Sequence, residues 1–147
     1  MLIAPIDNAR EMALLAFSRS GGSKTMKSTV LNGILIWLVP FAIGGALISV
    51  IDVESALFDT LMAIILTAVT CYLSYRYNRR KGAVAMGSAL QTGIVWMIIA
   101  WLLDAPFFLI MDFAKMPLGE YIADIGLAYL MIPIINLTIA TAMQGRR

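Results

Sequence analysis

Three aspartates stand where a carboxylate is costly: Asp59, Asp104 and Asp124 all fall inside long apolar runs. An aspartate at the centre of a membrane-spanning helix costs about 2.5–3.5 kcal/mol, and less toward the interface, so it normally faces protein and has a partner. At about 1.5 Å of rise per residue, the three sit roughly 6–9 Å from the same end of their runs. That common level on three helices leads us to expect convergence. Asp104 is the deepest, and it shares a helical face with Gly93 and Ala100, small residues that permit close helix contact. It should therefore point at protein. No lysine or arginine lies deep enough to pair with these acids, Lys115 being the one candidate from an adjoining turn. Their charge has to be balanced by a proton, a bound cation or water, and hard cations favour oxygen ligands of this kind. The identity of any metal stays open. The plainer reading of Asp59 and Asp124 is that both are shallow enough to be hydrated.

A second polar feature accompanies the acids. Asp59, Ala63, Thr67, Thr70 and Ser74 recur at intervals of four, four, three and four, which places them on one helical face as a stripe. The stripe is the best polar route in the sequence. Its plainer reading is packing, since threonine and serine in membrane helices commonly bond their own preceding carbonyls or a neighbouring helix. Pro40, Pro106 and Pro133 interrupt apolar runs, and each frees the carbonyl four residues back, at Ile36, Leu102 and Tyr129. Pro106 is expected to break its helix and expose a carbonyl beside Asp104. Asn136, one heptad after Tyr129, supplies a further hydrogen-bonding group.

The elements that carry these residues follow from composition. The chain has 147 residues, 61% hydrophobic and 14% charged, with a mean hydropathy of +0.86. A soluble domain has about 45–50% apolar and about 25% charged residues, so the chain is read as an integral membrane protein. A spanning helix needs about 20 apolar residues to cross about 30 Å of hydrocarbon, and four stretches qualify: 30–51, 55–75, 84–111 and 118–143. The connections are short enough to make consecutive helices antiparallel neighbours, and the expected fold is an all-α up-down four-helix bundle over residues 30–147. Its lipid contact is then the bilayer itself.

Basic residues fix the expected orientation. Arg10, Arg19, Lys24 and Lys27 precede the first run, Arg76, Arg79, Arg80 and Lys81 follow the second, and Arg146 and Arg147 follow the fourth, so ten of eleven agree and only Lys115 falls opposite. Cytoplasmic loops hold the excess of lysine and arginine, which puts both termini in the cytoplasm of a multi-pass cell-membrane protein. The other face holds Asp52, Glu54, Asp59, Asp104, Asp112, Glu120 and Asp124. A carboxylate-lined mouth raises local cation concentration, although Asp52, Glu54 and Glu120 read more simply as complements to helix N-termini.

Residues 1–29 form a cytoplasmic leader, with a short interfacial helix over 5–17 and a flexible linker at Ser20-Gly21-Gly22-Ser23. Met26-Lys27 would serve as a natural start, so the leader is assigned no function. In the first span Ala42, Gly45, Ala46 and Ser49 form one small-residue face, and Gly33, Pro40 and Gly44 another. Two such faces point to a homo-oligomer or a membrane-protein partner. A weak echo between Asn32-Gly33-Ile34 and Thr92-Gly93-Ile94 is too short to support a duplication.

Several chemistries are excluded. The chain has no histidine and one cysteine, Cys71, which removes His/Cys zinc sites, cysteine-pair redox chemistry and Ser-His or Cys-His nucleophiles. The net charge is only +2, and no basic run interleaved with exposed aromatics offers a nucleic-acid surface. No cofactor and no enzymatic activity are expected. The expectation is a small transporter or channel for cations or protons with an acidic vestibule, with Asp104 as its key residue and Asp59 and Asp124 assisting. The alternative is a non-catalytic subunit or assembly factor that docks through its small-residue faces.

Overall fold

The computed structural model describes residues 6–82, 84–109 and 117–145, with side chains from residue 26 onward. Asp112, Lys115, Arg146, Arg147 and the side chains of residues 1–25 lie outside the described residues. Helix α1 runs Ile6–Leu47, α2 Ala56–Lys81 and α3 Met86–Leu109. The fourth span, Leu118–Gln144, is composite. It opens as α4 (Leu118–Tyr121), passes through a π turn (Ile122–Gly126) and a 3-10 turn (Ala128–Leu130), and continues as α5 (Met131–Gln144). Met26–Leu47, Ala56–Lys81, Met86–Leu109 and Leu118–Gln144 are each long and apolar enough to cross a bilayer.

Two helices are longer than the apolar runs required. The α1 helix is continuous through Ser20-Gly21-Gly22-Ser23, where a linker was expected. Each glycine costs a helix about 1 kcal/mol against alanine, but extension from an established apolar helix adds one hydrogen bond per residue fixed. The α2 helix carries on through Arg76–Lys81, expected as a connection. Arginine and lysine are good helix formers, and in the last turn they complement the carbonyl end of the dipole. Its end is set by Gly82 at φ +82°, a backbone region that glycine enters without a steric penalty. At the other end Ser55 is the N-cap, its Oγ accepting the Phe58 N–H at 3.2 Å. Asp52 serves one turn earlier, accepting the Glu54 N–H at 3.0 Å.

The helices pack in the ring order α1, α2, fourth span, α3. Consecutive α2 and α3 lie across the diagonal, contrary to the expectation that short connections make neighbours. Five chain steps from Lys81 to Met86 reach at most about 17 Å, which spans the diagonal of a bundle whose neighbouring axes are about 8–10 Å apart. The core is Ile36, Leu66, Leu73, Tyr77, Trp96, Ala100, Tyr129 and Ile132. Large apolar residues such as Leu57, Ile64, Leu102 and Ile134 are exposed on the outside, as a bilayer-solvated surface requires. Thr29 beside Tyr77 and Gln144 bonded to the carbonyl of Val84 show that the apolar span of α1, Met26–Leu47, begins and α5 ends where α2 passes into α3. We call this the basic end and the opposite one the acidic end.

Pro106 does not break α3, which continues to Leu109. The irregularity lies in the fourth span instead. Pro133 has no N–H to offer the Tyr129 carbonyl, and the chain enters α5 through a 3-10 turn that ends just before it. Within the bundle Gly33, Pro40 and Gly44 are buried, whereas Ala42, Gly45, Ala46 and Ser49 are exposed. One small-residue face of α1 is used internally and the other is not.

Candidate functional site

Asp104 is 3% exposed. It completes a buried α3 face of Ala89, Gly93, Trp96, Ala100 and Asp104, whose steps of three and four turn it inward with the small residues. Trp37 on α1 donates its indole N–H to Asp104 Oδ1 at 3.0 Å. That indole is held by stacking on Phe41, with ring centroids 4.6 Å apart, and by a tilted contact with Phe107 at 5.8 Å. Tyr129 and Tyr121 stand near the same carboxylate, and the Tyr121 ring lies 6.1 Å from that of Phe108. Asp104 Oδ2 and the Tyr121 hydroxyl are buried without a hydrogen-bond partner. No described lysine or arginine reaches this carboxylate.

The π turn is what brings Tyr121 inward. Its defining bond runs from the Leu127 N–H to the Ile122 carbonyl at 2.9 Å, and the wider step of five residues lets Tyr121 and Gly126 share the buried face before the pattern resumes at Tyr129, Ile132, Pro133 and Asn136. Trp101 donates its indole N–H to the Gly126 carbonyl at 3.3 Å, supplying a partner for a backbone group that the irregular turn exposes.

The other two aspartates do not join Asp104. Asp59 and Asp124 are exposed, and among the described residues no three acids gather in a group able to hold a metal ion. Every fully buried residue of α2 lies at or beyond Leu66, so its first turns, Asp59 included, border the bundle instead of entering it. Asp124 sits within the π turn, on its exposed side.

Toward the basic end the α2 stripe does enter the interior. Thr70 and Ser74 are fully buried, as is Asn136. Thr67, half-buried, directs its hydroxyl to Met131 Sδ at 3.9 Å. Asn78 continues the stripe four residues beyond Ser74 and was not singled out in the sequence, because it stands among the basic residues read as a connection. It donates from Nδ2 to Asn136 Oδ1 at 2.9 Å, and Asn136 donates in turn to the Ala89 carbonyl at 2.7 Å. Thr70 Oγ1, Ser74 Oγ and Asn78 Oδ1 have no partner. A second polar knot ties α1 to α2 and α3: Thr29 Oγ1 and the Tyr77 hydroxyl lie 2.6 Å apart, and Trp96 donates to the Thr29 carbonyl at 2.8 Å. Asn136→Leu should cost about 1–2 kcal/mol, because it leaves Asn78 buried with neither end of its amide bonded. N78L/N136L, which removes both partners, should recover at least half of that loss. Denaturant unfolding in detergent measures both.

Four apolar helices with polar groups collected in their shared interior define a multi-pass membrane protein. No family model, curated protein or solved structure matches the chain, so its chemistry has to be argued from Asp104 and the groups around it.

Proposed function

We propose that the protein is a small cell-membrane transporter or channel for protons or small cations, with its acidic end outside and both termini in the cytoplasm. The observation that carries this reading is the buried Asp104 carboxylate, which has one indole donor, one unpartnered oxygen and no basic partner among the described residues. Ionisable groups inside membrane helices mark ion and proton pathways by default. One carboxylate among phenols and an indole is a proton-handling set, whereas a hard divalent ion takes six to eight oxygens. The orientation rests on the basic residues concentrated at one end. From Asp104 the route toward the basic end passes Tyr129 and then the polar face of Thr70, Ser74 and Asn78 opposite Asn136, buried hydroxyls and amides that can relay a proton or solvate a small ion. Thr67 lies at the edge of that face, and the carboxylates of Asp59 and Asp124, exposed at the mouth, raise the local concentration of cations.

The test is reconstitution of the purified chain in liposomes with an imposed pH gradient and an internal pH-sensitive dye. Dissipation well above that of protein-free liposomes is the expected result. Absence of proton, sodium and potassium flux in both gradient directions would discard the reading. The second reading, a non-catalytic subunit, is favoured by the exposed face of Ala42, Gly45, Ala46 and Ser49. It requires a stable homo-oligomer or a co-purifying membrane protein held through that face.

A further inference from the structure

At the basic end α2 turns a second, unpartnered face to the outside. Tyr72, Tyr75, Arg76, Arg79 and Arg80 line an open groove of about 360 Å³, and all five are exposed. They follow the helical intervals three, one, three and one, so they form a single stripe on the side of α2 away from the core residues Leu73, Ser74, Tyr77 and Asn78. Three guanidinium groups at such spacing repel one another unless an anion lies between them. Among the residues whose side chains are described, from 26 onward, none supplies it: the acids there, Asp52, Glu54, Asp59, Asp104, Glu120 and Asp124, all belong to the other end of the bundle. Lys81 is turned elsewhere, its Nζ 4.7 Å above the Tyr77 ring.

The stripe also has a polarity gradient along the helix. Continuing from the arginines toward the acidic end, it passes the two tyrosines and then exposed Ala68 and Ile64. Cationic, amphipathic and apolar groups follow in the order of a phospholipid's headgroup, glycerol esters and acyl chains, at the depth where a spanning helix leaves the hydrocarbon. We propose that this face is a binding site for an anionic phospholipid. Its phosphate is held by the forked donors of Arg76, Arg79 and Arg80, its ester region lies along Tyr72 and Tyr75, and a chain lies over Ala68 and Ile64. Arginine suits this task because its planar fork matches phosphate oxygens two at a time.

The experiment uses the purified full chain in a non-ionic detergent, with retained lipid read by native mass spectrometry. Dioleoyl phosphatidylglycerol and dioleoyl phosphatidylcholine serve as chain-matched probes, and glycerol 3-phosphate as the free anion. The wild type should prefer phosphatidylglycerol on the order of a hundredfold, from three basic groups at the headgroup level. R76Q/R79Q/R80Q should bind the two lipids alike, and the single variant Arg79→Gln, which disturbs folding least, should lose about fivefold. Equal retention of the two lipids by the wild type would overturn the proposal. So would an undiminished preference in Arg79→Gln, or displacement of the lipid by an equal concentration of glycerol 3-phosphate. A dimer mass abolished by R76Q/R79Q/R80Q would assign the face to a second copy of the chain and equally overturn it.

Discussion

Gly93→Ala should be among the most destabilising single-methyl additions in the chain. A Cβ at Gly93 would lie 2.5 Å from Pro133 Cα and 3.1 Å from its Cβ. The atoms it meets belong to a backbone locked by a proline ring, so no side-chain rotation relieves the contact and α3 must move away from α5. Overpacking of this kind costs about 1–3 kcal/mol, against which alanine returns only about 1 kcal/mol of helix propensity. Gly93→Leu should exceed that range and prevent a folded bundle. Gly33→Ala is milder. Its Cβ would come 2.8 Å from Ile99 Cδ1, the far end of a flexible side chain, and 3.2 and 3.3 Å from Trp96 Cδ1 and Ile99 Cβ, with no backbone atom among the three. At Gly45 nothing lies within 4 Å, so Gly45→Ala should be neutral or stabilising by up to about 1 kcal/mol. The ranking, measured by unfolding in mixed detergent, is Gly45→Ala most stable, then Gly33→Ala, then Gly93→Ala. A clear loss at Gly45→Ala would show instead that a second helix occupies the exposed small face of α1, as the subunit reading requires.

The same glycines show how far the sequence could be read. The membrane spans, the inward face of Asp104 and the small-residue contact below it follow from apolar length and from intervals of three and four, which a regular helix preserves over its whole length. Features that depend on a departure from regularity do not follow. Asp59, Asp104 and Asp124 were placed at one depth, and depth is set by rise alone. Convergence also needs azimuth, and the π turn of Ile122–Gly126 shifts the azimuth of everything before it. With that turn in place Asp124 is exposed and Tyr121 is buried near Asp104. Pro133 and Pro106 look alike in sequence, yet only the first coincides with a change of helix type. Asn78 was hidden because charge marked Arg76–Lys81 as a connection, although its position four residues beyond Ser74 carried the needed signal. The diagonal placement of α2 and α3 is a matter of which faces interlock, and short connections permit it as readily as adjacency.

Asp104→Asn should leave the fold intact and abolish flux. The amide keeps the shape of the carboxylate, and its Oδ1 can still accept the Trp37 indole N–H, so stability should stay within about 1 kcal/mol of wild type. What is lost is the ability to take up and release a proton, or to balance a cation, at the one buried acid among the described residues. A positioned proton-transfer group is typically worth about 10²–10⁴-fold in rate, and liposome flux should fall by about a hundredfold or more. Asp104→Leu separates structure from transport in the opposite sense. It removes the acceptor of a buried indole donor and should cost about 1–3 kcal/mol of stability in addition to the flux. Trp37→Phe keeps the stack on Phe41 and removes only the donor to Oδ1, so flux should persist while its pH profile moves, because a hydrogen bond to the charged form is lost. If Asp104→Asn conducts as the wild type does, Asp104 is a structural acid and the pathway fails with it. If the wild type gains thermal stability on adding sodium, potassium or a divalent ion and Asp104→Asn does not, the carboxylate holds that ion in the folded state, since only a ligand bound to the folded form stabilises by mass action. Flux that depends on Asp104 without any such shift identifies the carried species as the proton.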